Sequence, residues 1–139
     1  MYVINRTRGT YLGVNIKVAN SFRARLIGLY FNRHLHFGDG VWLIPTNSIQ
    51  TIGLHTPIDL VFLDIRLRVV RLCERVRPGR VVWRVAGAHS TLEVAAGVIR
   101  SSETQVGDQV EIVDDLSPLD GEPAAVKMDG RGAPDGSLG

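Results

Sequence analysis

A single cysteine, Cys73, in 139 residues leaves no partner for an internal disulfide and excludes a multi-cysteine metal site. Its setting in an apolar run makes it a small buried hydrophobe rather than a reactive thiol. No stretch approaches the ~20 consecutive apolar residues that cross a bilayer, so no membrane span is expected. The opening residues, Met1 to Arg8, lack the apolar centre of a secretory leader, which makes the cytoplasm the expected compartment. A nucleophile elbow of the Gly-x-Ser-x-Gly type does not occur. Gly38-Asp39-Gly40 has neither the spacing nor the Lys-Ser/Thr of a phosphate-binding loop. No internal repeat is visible, and nothing in the composition calls for a cofactor.

What is present is enough for one core. Hydrophobic residues make up 45% of the chain, in the range of ordinary globular domains, and its length fits a single domain. The formal net charge of +2 hides a split. From residue 114 onward six acids (Asp114, Asp115, Asp120, Glu122, Asp129, Asp135) face Lys127 and Arg131, a net of −4, which leaves +6 for residues 1–113. That C-terminal stretch mixes five glycines and three prolines with its acids and has few large apolar side chains, scattered singly (Leu116, Leu119, Val126, Met128, Leu138). It cannot offset the entropy of ordering and is expected to be disordered, so the domain is expected to span 1–113 and the tail 114–139.

Along the chain, Tyr2–Asn5 and Thr10–Val14 read as two strands of a hairpin with Gly9 in the turn. Phe22, Leu26, Leu29 and Tyr30 recur at helical spacing after the N-cap candidates Asn20 and Ser21, predicting a main helix over about 21–32. Gly28 costs such a helix roughly 1 kcal/mol against alanine, which points to close packing on a sheet. Val41–Ile44 reads as a strand closed by Pro45. Ile58–Leu63 is an apolar run bracketed by Asp59 and Asp64, the pattern of a strand buried on most of its surface. Asp64–Arg68 reads as the turn into the next strand, with Arg66 and Arg68 alternating against Ile65, Leu67 and Val69. The alternation slips at Val69-Val70, where a β-bulge would keep the later arginines in water. Arg77-Pro78-Gly79-Arg80 carries a type II turn signal, and Val81–Val85 follows as a strand. Thr91–Val94 is a short strand ended by Gly97. Val98–Gln105 suits a helical turn, and Gly107-Asp108 turns into a last strand, Val110–Val113. Short strands with one main helix predict an α+β, β-rich domain: a curled or barrel-like, mostly antiparallel sheet closed by that helix.

The stretch Ser48–Asp64 carries the most information. Gly53 can take a left-handed backbone position, and Pro57 fixes its own φ and pushes Thr56 towards an extended conformation. A loop held in this way and running into a core strand is where a small domain would place a site. Pro57-Ile58-Asp59 and the strand ending in Asp64, together with Gly28-Leu29, Gly38-Asp39-Gly40-Val41-Trp42-Leu43, Leu92-Glu93-x-x-x-Gly97 and Gly107-Asp108, resemble in order the pattern of the DUF192 (UPF0127) family of small prokaryotic domains. The resemblance covers about Val18 to Val113. It implies the fold class, and it leaves the function open because the family is largely uncharacterised. This chain departs from many relatives at Leu54, where they carry Met, and at Leu67, where they carry Gly. One branch has Cys at the position of Thr46 and His at that of Gln50, so any chemistry resting on those two groups is missing here.

Asp59 stands out as the candidate acid. A carboxylate there could act as a general base or bind a ligand's hydroxyls. Its structural alternative, the favoured one, is to cap backbone N–H groups of the Gln50–Thr56 loop. Glu93, matched to the family pattern, reads as a partner for an arginine or a loop, although a glutamate on a short strand is usually at the surface. Ser48, Gln50, Thr51, His55 and Thr56 would line a polar rim around a shallow cleft with them. Gly28, Gly53, Pro57, Gly97, Gly107 and Asp108 read as structural. His34 and His36 beside Asp39, with His55, have the residue types of a zinc site, yet solvated loop histidines are the simpler reading and no metal is expected. A Ser48, His55 and Asp59 triad lacks any oxyanion-hole signature.

Three functions stay open in order of preference. The first is a non-enzymatic binding or accessory module, a monomer taking a small polar ligand or a peptide near 48–59. The second is a small hydrolase or lyase using Asp59 with His55 or Glu93. The third is weak nucleic-acid binding through the arginines from Arg66 to Arg84, which more simply form a charged edge that discourages aggregation.

Overall fold

The structure, a computed structural model, describes residues 1–19 and 35–114. The helix expected over 21–32, with Gly28, lies outside these residues, as do His34 and the acidic stretch from 115 onward.

Among the described residues ten strands and one short helix follow in order: β1 Tyr2–Asn5, β2 Thr10–Gly13, β3 Asn15–Ala19, β4 Asp39–Leu43, β5 Ile49–Gln50, β6 Ile58–Leu63, β7 Val69–Val76, β8 Val81–Val82, β9 Ser90–Ala95, α1 Val98–Ser102 and β10 Val110–Val113. They form a five-stranded sheet of order β3-β4-β9-β6-β7, a three-stranded sheet β10-β1-β2 and a two-stranded ribbon β5-β8. Every pairing is antiparallel except β3 with β4. The domain is therefore β-rich and mostly antiparallel. Among the described residues no sheet closes into a barrel: the large sheet stays open, ending at β3 on one side and β7 on the other.

The apolar run Ile58–Leu63 becomes an inner strand, and all six of its residues are buried. Its neighbour β9 is equally buried. Both faces of the sheet are covered, so the pattern is continuous rather than alternating. On one face Val61, Leu63, Leu92 and Val94 pack with Val3, Leu12, Val98 and Ile99 from the three-stranded sheet and α1. On the other, Ile58, Leu60, Phe62 and Leu43 pack with Ile49 and Val85 from the ribbon and the segment after it.

The slip at Val69-Val70 is real. Phe62 pairs with Arg71 and Leu63 with Val69, which leaves Val70 as the extra residue. The chain turns at Ile65-Arg66, Arg68 makes only an isolated antiparallel bridge with Gln109, and the strand starts at Val69. Asp64 Oδ1 accepts the N–H groups of Arg66 at 2.8 Å and Arg68 at 2.9 Å, a local side-chain turn that outcompetes the alternating pattern. Leu67 has φ 64°, in the left-handed region that glycine enters freely. The strand expected over Val81–Val85 stops at Val82, because Arg84 adopts φ 49° and its N–H goes to Ser48 Oγ rather than a ladder partner.

Candidate functional site

Asp59 sits on β6 with no exposed surface. Between Ile58 and Leu60 the partner strand runs from Val76 to Cys73, one residue longer, so β7 bulges opposite Asp59. Arg75 takes φ 48° in that bulge and donates its backbone N–H to Asp59 Oδ1 at 2.8 Å. Asp59 Oδ2 accepts the N–H groups of Gly97 at 3.0 Å and Ile99 at 2.9 Å. The first turn of a helix has N–H groups with no partner of their own. Gly97, the residue before α1, has no side chain to cap them, and the first turn holds no acid. A carboxylate from the sheet does both jobs, and its charge suits the helix start. The donors thus come from α1 and the β7 bulge, and not from the Gln50–Thr56 loop as expected. Gly97 itself has φ 104°, and a Cβ there would meet Phe37 Cζ at 3.3 Å.

The loop is held instead by Thr51, which is also fully buried. Its hydroxyl donates to Arg77 O and accepts from Arg80 N–H, both at 2.8 Å. Its backbone N–H donates to Arg80 O at 2.8 Å, and its carbonyl accepts from Gly79 N–H at 3.0 Å. The 77–80 turn, with Gly79 at φ 84°, is stapled to the loop by one threonine. Around it, Gln50 Oε1 accepts Ile52 N–H at 2.7 Å, and Ser48 Oγ donates to Asn47 Oδ1 at 3.1 Å. Thr56 is half-buried, while His55 and Pro57 are exposed. Gly53 and Gly107 turn the backbone with φ of 96° and 98°.

Glu93 is not at the surface: only 2% exposed, it lies on β9 opposite Leu60 and Val41. Asp59 is opposite Val94. Side chains alternate along a strand, so the two carboxylates project from opposite faces of the sheet. The pairing of Asp59 with Glu93 that a hydrolase or lyase would use is not assembled. His36 Nδ1 lies 3.7 Å from Asp39 Oδ2 at an exposed position. Among the described residues no three His, Cys, Asp or Glu side chains come together as a metal site.

Two features escaped the sequence reading. The first is a buried polar knot between the β1–β2 hairpin and the loop before β10. Asn5 Nδ2 donates to Thr104 Oγ1 and to Asp108 Oδ2, each at 3.0 Å. Arg8 grips both oxygens of Asp108 at 3.0 and 3.1 Å, and Gln105 N–H adds a bond of 2.9 Å. Burial alone would raise the Asp108 pKa, but the bonds from Arg8, Asn5 and Gln105 outweigh it and hold the carboxyl below the ordinary range. Only the Gly107-Asp108 pair hinted at this in the sequence.

The second is the outward face of the β5-β8 ribbon. Ile49 pairs with Val82 and points into the core, so Gln50 and its partner Val81 point out. Val81 is 55% exposed, Ile52 61% and Trp83 66%. The Arg84 guanidinium lies 5.7 Å from the centroid of the Trp83 ring. From Arg66 to Arg84 seven arginines accompany a single acid, Glu74, and all eight side chains are exposed.

Comparison with known proteins agrees with this frame. The model of the DUF192 family, described as an uncharacterised ACR, matches residues 3–112. A UPF0127 protein of Thermococcus sibiricus is 29% identical over 114 residues, covering 78% of this chain and 73% of that protein. A crystal structure of a protein of unknown function from Novosphingobium aromaticivorans superposes with a TM-score of 0.66 at 19% identity, covering 80% of this chain and 82% of the other. A UPF0127 protein of Pyrococcus furiosus is 26% identical over 112 residues, covering 78% of this chain and 96% of that protein. The structural likeness carries the fold alone.

Proposed function

This chain belongs to the DUF192 family, whose matched members are uncharacterised, and we propose that it is a non-enzymatic binding or accessory module. The observation that carries the reading is the state of Asp59: the acid best placed by sequence to act as a base is wholly buried and accepts three backbone N–H bonds. Moving a proton to or from it would break the cap of α1 and the β7 bulge together. Thr51 is likewise committed to holding the 77–80 turn. These residues position a surface, and Ser48, Gln50, His55 and Thr56 on that surface meet a small polar ligand or a peptide. Glu93 belongs to the buried frame behind it. In this proposal a single domain over 1–113 works as a monomer in the cytoplasm.

The test is a ¹⁵N NMR titration of the full chain with a mixed library of metabolites and short peptides. Shifts clustered at 48–56 and 81–84 support the reading. Shifts elsewhere with these residues silent count against it. So would turnover of a generic ester, phosphate or glycoside substrate that His55→Ala abolishes while the fold persists.

A further inference from the structure

We propose that the outward face of the β5-β8 ribbon docks an acidic segment of a partner protein, one carrying aliphatic side chains between its carboxylates. This rests on the reading above that the 48–56 loop and its ribbon form the recognition surface. Three large apolar side chains, Ile52, Val81 and Trp83, are each more than half exposed. Scattered exposed hydrophobes are ordinary, but here Val81 stands opposite Gln50 on one short ladder, with Ile52 two residues beyond Gln50 and Trp83 two residues beyond Val81. Tryptophan and arginine, which lie side by side here as Trp83 and Arg84, are among the residue types enriched at the energetic centres of protein interfaces.

Charge selects the partner. Arg77 and Arg80 lie on the turn before Val81 and Arg84 follows Trp83 just past the strand, and all three are exposed. Guanidinium groups bind carboxylates in a planar, two-pronged geometry. A second copy of this face would bring arginine against arginine, which disfavours self-association. Single-stranded nucleic acid would meet the charge but needs ring faces on which successive bases stack. Among the described exposed residues of this ribbon Trp83 alone provides one, and Ile52 and Val81 are aliphatic. An acidic peptide with leucine-like anchors satisfies both the charge and the apolar contacts.

The probe is a fluorescein-labelled synthetic peptide alternating Asp with Leu over eight residues, titrated with the full chain at low salt; peptide anisotropy reports binding in every variant, and tryptophan emission of the wild type locates it. Trp83 is largely exposed and Trp42 is not, so covering the ribbon should shift the emission to shorter wavelength. We expect saturable binding that Trp83→Ala weakens about tenfold, the scale of an interface anchor. Arg80→Glu with Arg84→Glu should remove it, and Arg6→Ala in the β1–β2 turn should leave it intact. No saturable binding at low salt, or equal loss with Arg6→Ala, overturns the proposal. Preference for a ten-residue oligothymidine, lost in Trp83→Ala, overturns the acidic partner but keeps the ribbon as a recognition surface. Emission that is already short in wavelength and moves to longer wavelength with added salt, without peptide binding, assigns the face to the chain's own acidic residues and also overturns it. Concentration-dependent dimerisation lost in Trp83→Ala does the same.

Discussion

Replacing Asp59 by asparagine isolates the chemistry of its carboxylate, because the side chain keeps its volume and leaves no cavity. The wild-type group accepts N–H bonds from Arg75, Gly97 and Ile99 in a fully buried setting. An amide has one acceptor oxygen. Its best orientation keeps that oxygen on Gly97 and Ile99 and turns the NH₂ towards the Arg75 N–H, donor against donor. The loss is one bond to a charged acceptor, about 1.5–3 kcal/mol, with a buried N–H left unpaired at about 1–3 kcal/mol. The missing charge at the start of α1 removes roughly another 0.3–1 kcal/mol. These terms overlap, and burying an amide costs less than burying a carboxylate, so the net destabilisation of Asp59→Asn should be about 2–4 kcal/mol. For a domain of this size that lowers Tm by roughly 10–20 °C. Asp59→Ala strands all three donors and adds a cavity, and should fall at or beyond the upper end of that range. Urea unfolding followed by far-UV circular dichroism measures the stability, and hydrogen exchange at the amides of Arg75, Gly97 and Ile99 localises it. Asparagine within about 0.5 kcal/mol of wild type, with exchange at those amides unchanged, would refute the capping argument.

Three further expectations follow from the same reasoning. Thr51→Val deletes a hydroxyl that both donates and accepts inside the fold, and should cost about 1–3 kcal/mol while accelerating exchange at the Arg80 amide. Glu103 ends α1 with φ 58° at an exposed position, so Glu103→Gly should raise stability by roughly 0.5–1 kcal/mol in thermal melts, and a loss instead would show that its charge matters more than its backbone strain. The Asp108 carboxyl has its pKa lowered in the fold, so the unfolded chain binds the proton more readily. Its contribution is complete above the ordinary aspartate value of 3.8 and is lost as pH falls through the lower folded value. Asp108→Asn should therefore be less stable than wild type near neutral pH and lose less stability on acidification below about pH 4, measured by urea midpoints across that range. Parallel acid limbs for the two proteins would assign the effect elsewhere.

The strands were legible in the sequence because their cause is local. Apart from Asp59, Ile58–Leu63 is apolar since both of its faces are covered, and the arginine phase slip at Val69-Val70 marks a real bulge. Turn chemistry was legible too: Pro78-Gly79 bends as its residue types require. Competition between local patterns was harder to judge. Arg66 and Arg68 alternate as a strand would, yet Asp64 holds the same residues in a turn through two short bonds.

Partners across the fold could not be read at all. Asp59 could be recognised as an acid at the head of a core strand, but its donors lie 16, 38 and 40 positions away and come from two other elements. Asp59 and Glu93 read as one site in the sequence and face opposite ways, a difference that depends only on the register between β6 and β9. The exposed ribbon is the same kind of fact, since pairing of Gln50 with Val81 is what turns Val81 outward. By itself the sequence determined most of the longer strands, several of the turns and which family pattern it carries, because propensity, periodicity and turn chemistry act over a few residues; the two-residue strand Ile49–Gln50 was not among them. The tertiary structure decided what each polar side chain does, because that depends on which backbone groups long-range strand pairing leaves within about 3 Å of it.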